Sequence, residues 1–190
     1  EELLPSLTSK RRDYVVKRWR VPSDRVVLEF KIDRIYSKLK LLSVKKRYYG
    51  LVSWEEGLLS EPYIQIKGLE ARRGDWPDLV KEIQRAVIEA ELRGSPSDAQ
   101  KIINDYLARL LAGEIPVEKL ALKKHLTKSI NEYKSDSPHV RAAKILLQSR
   151  FPVRVGDRIE YIFLDDKVIP VTPDLKLSQS ALLSWWKKYV

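Results

Sequence analysis

Asp165 and Asp166 stand side by side between two alternating apolar segments, and an adjacent carboxylate pair can hold divalent cations for phosphoryl transfer. Asp is also a preferred residue of the tight turn that joins such segments, and no partner acid stands out at a second locus, so the turn is the better reading. His125 and His139 are the two histidines, and neither has a Glu or Ser arranged around it as a triad or ligand set. Structural or phosphate-facing roles suit them better than that of a general base. The absence of Cys removes thiol nucleophiles, thiolate zinc sites and disulfides, and fits a reducing compartment. The seven Gly are scattered and make no phosphate-cradling loop. Taken alone, these residues display no active site. One short pattern is more specific. In Gln179-Ser180-Ala181-Leu182-Leu183-Ser184-Trp185-Trp186, a single helical turn would aim Leu182, Trp185 and Trp186 together while Gln179 reaches back to hydrogen bond. Two exposed Trp need a cover, which is either a pocket on a partner or the chain's own core.

The 190 residues hold 36 Lys+Arg against 26 Asp+Glu, for a net charge of +10 and a pI near 9.6. The excess is uneven. Residues 1–50 carry 14 basic side chains against 6 acidic, 51–100 carry 6 against 10, 101–150 carry 10 against 5, and 151–190 carry 6 against 5. Tyr14, Trp19, Tyr36, Tyr48 and Tyr49 are interleaved with the first basic region. A polyanion, nucleic acid first, is the natural partner of such a pattern, although a solvated surface rich in ion pairs accounts for the charge alone equally well. No apolar run approaches the roughly 18 residues of a membrane span, so no membrane partner is expected. The opening EELLPSLTSKRR is acidic before it becomes basic, unlike a secretory leader. An apolar content of 44% argues for a folded protein, and the absence of Met suggests a processed chain or one part of something larger.

The elements that must position these groups follow from periodicity. Residues 26–35 alternate well enough for a half-buried strand, Leu39 to Trp54 continues as strand-forming sequence that would carry Lys45, Lys46 and Tyr48 on sheet, and Glu55-Glu56-Gly57 reads as a turn before another strand. Asp75 is a good N-cap for a helix with Leu79, Ile83, Ala86 and Ala90 on one face, stopped by Gly94. A second helix is expected from Ser97 to Gly113, burying Ile102, Ile103, Tyr106, Leu107 and Leu110, and a third from the N-cap Ser137 and Pro138 to about Ser149. VRVGDRIEYIFLDDKVIPV reads as two or three short strands. The expected fold is α+β: an antiparallel sheet, then a mainly helical module with short strands, then an extended C-terminal tail. The expected boundaries lie at residues 73/74 and 172/173.

The pattern from Gln179 to Trp186 resembles the peptide by which replication proteins bind the sliding clamp PCNA, and every defining position matches. The resemblance implies that Gln179, Leu182, Trp185 and Trp186 engage the clamp. Lys45-Lys46-Arg47-Tyr48, the segment GLEARRGDWPDLVKEIQ from Gly68, and IPVEKLALKKHLTKSINEYKSDSPHVRAAKIL from Ile115 resemble, in the right order, the end of the palm and the thumb of archaeal family B DNA polymerases. The likeness covers roughly Val26 to Pro170. It implies that Lys46 reaches a minor-groove acceptor at the primer terminus, that Tyr48 supports it, and that Lys45 pairs with phosphate. Arg73, Tyr133, Lys134, His139 and Lys144 would hold the duplex backbone, with amides at the start of the helix near Ser137.

The departures narrow what is implied. The family's catalytic palm carboxylates and its nucleotide-gripping Lys helix have no counterpart in the 190 residues, and Glu1–Arg20 match little. The resemblance therefore implies a part of a polymerase that grips primer–template DNA and recruits the clamp, with no cofactor bound by this chain. Mg²⁺ and the catalytic palm and exonuclease would belong to a larger polymerase chain, in a cytoplasmic, nucleoid-associated setting. The rival from another class is a non-enzymatic adaptor that binds DNA and clamp.

Overall fold

The computed structural model describes residues 3–55 and 61–190. The fold is α+β, with elements in the order α1 (Leu3–Trp19), β1 (Arg34–Leu41), β2 (Tyr48–Glu55), β3 (Tyr63–Lys67), α2 (Asp78–Arg93), α3 (Pro96–Leu111), β4 (Leu122–His125), α4 (Pro138–Gln148), β5 (Arg158–Leu164), β6 (Lys167–Pro170) and α5 (Gln179–Tyr189). The strands make two antiparallel three-stranded sheets, β1-β2-β3 and β4-β5-β6. Contacts divide the chain into a first unit of residues 1–39 and 51–65 and a second of residues 40–50 and 66–190. This division differs from the expected boundaries at 73/74 and 172/173, because the second unit takes in both the tip of the β1–β2 hairpin and the last helix.

In the first unit, α1 buries none of its residues. Arg12 donates through Nε to the Leu28 carbonyl at 2.7 Å, and the Phe30 amide donates to Thr8 Oγ1 at 3.1 Å. These bonds explain why the strand expected from Val26 begins only at Arg34: α1 side chains take up backbone groups of residues 28 and 30 that a neighbouring strand would otherwise pair. Further along, Arg34 pairs with Glu55, which also accepts from the Tyr63 hydroxyl at 2.6 Å. Glu56 and Gly57 of the expected turn lie outside the described residues.

The second unit is built around β5. Ile162 and Leu164 join a core with Leu79, Val80 and Ile83 of α2, Leu110 of α3, and Leu182 and Trp185 of α5. Ile159 and Tyr161 instead face Ala142 and Ala143 of α4 together with Leu126 and Val168. A strand covered on both faces has apolar residues at successive positions, which is how RIEYIFL reads. The Asp165-Asp166 link between β5 and β6 has both residues at positive φ, 44° and 62°, the geometry of a tight hairpin turn. Asp165 accepts from Ser184 at 3.0 Å, so this pair serves as turn and helix anchor.

The helix boundaries show what local chemistry competes. Asp75 is not the cap of α2; the helix starts at Asp78 after Pro77, and Asp75 is engaged by Arg73. Asp78 itself pairs with Lys123 and Lys81. Burial pushes its carboxyl up, but these two ammonium groups outweigh that and hold it at about 2. Ser95 and Asp98 form a reciprocal capping box at α3, which starts at Pro96, one residue earlier than the expected start at Ser97. Of the stripe expected there, Leu110 is buried, while Ile102, Ile103, Tyr106 and Leu107 are half-buried. β4 and α1 have no counterpart in the sequence expectation.

The extended tail is corrected to a docked helix. Trp185 is 1% exposed and donates from its indole nitrogen to the Leu120 carbonyl at 3.1 Å. Tyr189 stacks on it at 5.3 Å and meets Trp76 edge-on at 6.0 Å, and burial pushes the Tyr189 hydroxyl up to about 12. Trp185→Ala should therefore cost about 4 kcal/mol through cavity formation and the orphaned Leu120 carbonyl. In a thermal melt the midpoint should fall by roughly 8–16 °C for a chain of this length. A loss below about 1 kcal/mol would mean that α5 is not part of the core.

Candidate nucleic-acid interface

Lys45 and Lys46 are exposed at the tip of the β1–β2 hairpin rather than on a strand, and Tyr48 begins β2 half-buried. The tip is a turn in which the Arg47 amide donates to the Val44 carbonyl at 3.2 Å and the Leu42 amide to the Arg47 carbonyl at 3.1 Å. A strand register cannot hold it, because Lys46 sits at φ +65°, left-handed backbone that costs a side-chain-bearing residue roughly 1 kcal/mol. Such strain persists only where the surroundings impose it, and it concentrates at functional sites.

Here the surroundings are the chain after β3. Gly68, at φ +71°, brings its backbone under the turn; a Cβ there would lie 2.6 Å from the Lys46 carbonyl oxygen and 3.0 Å from Arg47 Cγ. Arg47 pairs with Glu70 at 3.3 Å. The Glu70–Arg72 turn is in turn tied to α2: Gln84 accepts from the Ala71 amide at 2.8 Å, and Arg85 donates to the Ala71 carbonyl at 2.9 Å. The base of the hairpin is fixed by Glu91 of α2, which accepts from Tyr49 and, at 2.9 Å, from Lys40. Burial and the Glu91 bond both push the Tyr49 hydroxyl up, so it remains a donor.

The remaining candidate side chains form a second group around α4. Tyr133 accepts the Thr127 amide through its hydroxyl at 2.8 Å and meets the His139 ring edge-on at 5.5 Å. His139 is only 4% exposed, with Nδ1 3.1 Å from Ser137 Oγ. Burial and the nearby Lys124 push its pKa down, favouring the neutral imidazole. The expected direct backbone contact from His139 is therefore corrected: it holds Tyr133 and the start of α4 from inside. Its amide neighbours Val140 and Arg141 both donate to the Ser137 carbonyl, so the chain itself takes up those donors. Lys134 is exposed with no ion-pair partner among the described residues, whereas Lys144 pairs with Asp136 at 2.8 Å. Arg73 is committed in a fork to Asp75, at 3.0 and 2.8 Å, over the Trp76 ring.

Lys124 is the residue that sequence reasoning missed. It is exposed on β4, where it pairs in register with Ile159, and its charge depresses both Asp75 and His139. It thus lies within electrostatic reach of the Arg73–Asp75 pair and of the α4 group, and links them. The sequence offers no signal that separates it from its neighbours, since Leu122 is followed by the unbroken basic run Lys123-Lys124-His125. Lys123 is the inward member, pairing with Asp78 and Glu160.

Residues 22–182 match the family model for DNA polymerase family B. The chain belongs to that family. The DNA polymerase of Pyrococcus horikoshii is 39% identical over 139 residues, covering 73% of this chain and 11% of that protein. The DNA polymerase of Archaeoglobus fulgidus is 34% identical over 142 residues, 74% of this chain and 17% of that one, and that of Methanocaldococcus jannaschii is 40% identical over 130 residues, 68% and 8%. The chain thus spans a small part of its family B relatives. In fold it resembles the solved structure of the family B DNA polymerase from the hyperthermophilic archaeon Pyrobaculum calidifontis, with a TM-score of 0.59 and 24% identity over 95% of this chain and 24% of that one. α1 lies ahead of the family match.

The geometry of the tip gives a direct test. Gly68→Ala should destabilise the family B chain by about 2 kcal/mol, from left-handed strain plus the approach of the new methyl to the Lys46 carbonyl. Chemical denaturation checks this, and a change below about 0.5 kcal/mol would show that the turn does not rest on Gly68.

Proposed function

We propose that this chain is a duplex-gripping part of a family B DNA polymerase, working with a larger polymerase part that supplies the catalytic carboxylates. The observation that carries this is the coincidence of the family match over residues 22–182 with exposed Lys45, Lys46, Lys124 and Lys134, none of which has an ion-pair partner among the described residues. A Lys at the tip of a braced turn can reach minor-groove acceptors, which occur at every base pair and so sense geometry without reading sequence. In this role Lys46 is the probe, Tyr48 stands behind it at the start of β2, and Lys45 meets phosphate. Arg73 and Lys144 would exchange Asp75 and Asp136 for phosphate oxygens, while Lys124 and Lys134 need no such exchange. Tyr133 keeps the loop before α4 in place.

Nucleotidyl transfer in this family uses Mg²⁺, and the fit of this chain to that ion is poor. Among the described residues no group of three or more acidic or His side chains could hold a metal ion, and Asp165 and Asp166 form a turn. In this proposal the metal is held by the larger part, which supplies the carboxylates. Among the described residues no helix is long and apolar enough to cross a membrane. In the same proposal, recruitment of PCNA through Gln179, Leu182, Trp185 and Trp186 requires α5 to leave its bed. Leu182 and Trp185 are buried there, and Gln179 approaches the Leu111 carbonyl at 3.5 Å. What the docked helix offers a partner is exposed Leu183 and half-buried Trp186.

Duplex binding by the isolated chain, measured by fluorescence anisotropy between 50 and 200 mM salt, should lose affinity with a slope of about −4 or steeper in log–log form, given four or more phosphates at about 0.9 each. A slope near zero would count against the proposal. Lys46→Ala should reduce primer extension by the assembled polymerase more than it reduces binding of free duplex. Equal effects would remove its role as a probe of the primer terminus, and an inactive assembly whose parts still bind DNA would favour the adaptor.

A further inference from the structure

α1 precedes residues 22–182, which match the family model, buries none of its residues, and gathers four of its five cations on one face. Leu4, Thr8, Arg12, Asp13 and Val16 line a cleft of about 1300 Å³ against residues 29–33 and Trp54. Leu4, Thr8, Arg12 and Val16 recur every four residues and so share one side of the helix, with Asp13 at its edge. The helix's one acid among residues 3–19, Asp13, lines the edge of the cleft, three residues from Lys10 and four from Lys17, while Arg12 and Thr8 pin the following segment. The opposite side carries Lys10, Arg11, Tyr14, Lys17 and Arg18, at offsets 0, 1, 4, 7 and 8. All five are exposed, Tyr14 at 53%, and the four cations have no ion-pair partner among the described residues.

We propose that this outward face of α1 is a second contact for the phosphate backbone of duplex DNA, ahead of residues 22–182 that match the family model. It rests on the duplex-gripping role proposed above. The cations stand on two levels seven residues apart, about 10.5 Å at 1.5 Å per residue, which spans more than one phosphate. Tyr14 sits between the levels, where its hydroxyl can donate to a phosphate oxygen. An anionic membrane is the less favoured surface, because an interfacial helix needs a broad apolar stripe to bury and this face has cations on both sides of its aromatic.

The test uses the full chain and a duplex of random sequence. Replacing the four cations together (Lys10→Gln, Arg11→Gln, Lys17→Gln, Arg18→Gln) should make the salt slope shallower by about 3 to 4 and weaken binding at least tenfold at low salt, with circular dichroism reporting an unchanged helix content. The charge-keeping set (Lys10→Arg, Arg11→Lys, Lys17→Arg, Arg18→Lys) should retain the parent slope. An unchanged slope in the Gln variant, with the parent still binding in a salt-dependent way, overturns this contact and leaves the hairpin grip standing. A parent that binds no duplex overturns both. Loss of helix in the Gln variant directs the reading to the charge-keeping set, whose slope must then match the parent, and a changed slope there overturns the proposal. Binding of the parent to phosphatidylserine vesicles, lost in the Gln variant while its duplex slope holds, assigns the face to lipid and overturns it as well.

Discussion

The carboxylate of Glu91 accepts hydrogen bonds from Tyr49 and Lys40, while Ile88 and Leu92 of the same helix are buried. One helix is thus used on two sides. Its apolar stripe of Leu79, Val80 and Ile83 is fixed by the core that β5 and α5 complete, and its polar side passes that rigidity to the hairpin through Glu91 and to the Glu70–Arg72 turn through Gln84 and Arg85. A Lys side chain at a hairpin tip loses rotamer freedom whenever it meets a ligand, and that cost is lowest when the backbone beneath it is already held. The strained Lys46 and the close approach at Gly68 have the same origin: two segments are pressed together by anchors on α2, and the turn takes the conformation that fits.

The cations of the second unit fall into two electrostatic classes. Lys81, Lys119 and Lys123 are paired with Asp78, Glu82 and Glu160 around α2 and β4, and these pairs tie elements together. Lys45, Lys46, Lys124 and Lys134 have no such partner among the described residues. Arg73 and Lys144 lie between the classes, each held by an exposed carboxylate that a phosphate could displace. Exposed pairs of this kind are worth about 0–1 kcal/mol, so exchanging Asp75 or Asp136 for a phosphate costs little. The net charge of the chain is therefore a poor guide to its grip. The partition between structural pairs and unpaired ammonium groups is the better one, and only the folded chain shows it.

Much of the architecture was legible in residue order. The Ser137-Pro138 start and Ser149 end of α4, the stop of α2 at Gly94 and the Asp165-Asp166 turn are local signals that the structure keeps, because each rests on capping or turn chemistry within a few residues. The misses share a cause at longer range. Val26 to Asp33 alternates like a strand, but two side chains of α1 engage its backbone. Asp75 has the composition of a cap, but a guanidinium two residues away claims it. Lys45 and Lys46 follow a strand-forming run, yet Gly68 and Glu70, some twenty residues on, draw them into a turn. Of the site residues, the basic types were legible, whereas the burial of His139 and the linking position of Lys124 depend on the packing of β4 against α4.

α5 shows why pattern alone does not fix a role. Leu182 and Trp185 lie three apart, so any surface that accepts this face of the helix takes both, whether it belongs to a partner or to the chain itself. The chain's own surface supplies Leu79, Leu110, Ile162 and Leu164 for the apolar atoms and the Leu120 carbonyl for the indole N–H. A buried indole with its donor satisfied is more demanding to extract than one resting on apolar atoms alone, since departure exposes the ring and orphans the carbonyl together. Any partner that takes Trp185 must repay both terms before it gains affinity. The surface that costs nothing to use is the one already turned outward, Leu183 with the exposed edge of Trp186, and the same logic separates α1's unburied cationic side from its cleft-lining one. In each helix the side chains left over after folding, and not the ones that match a pattern, define what remains available to a partner.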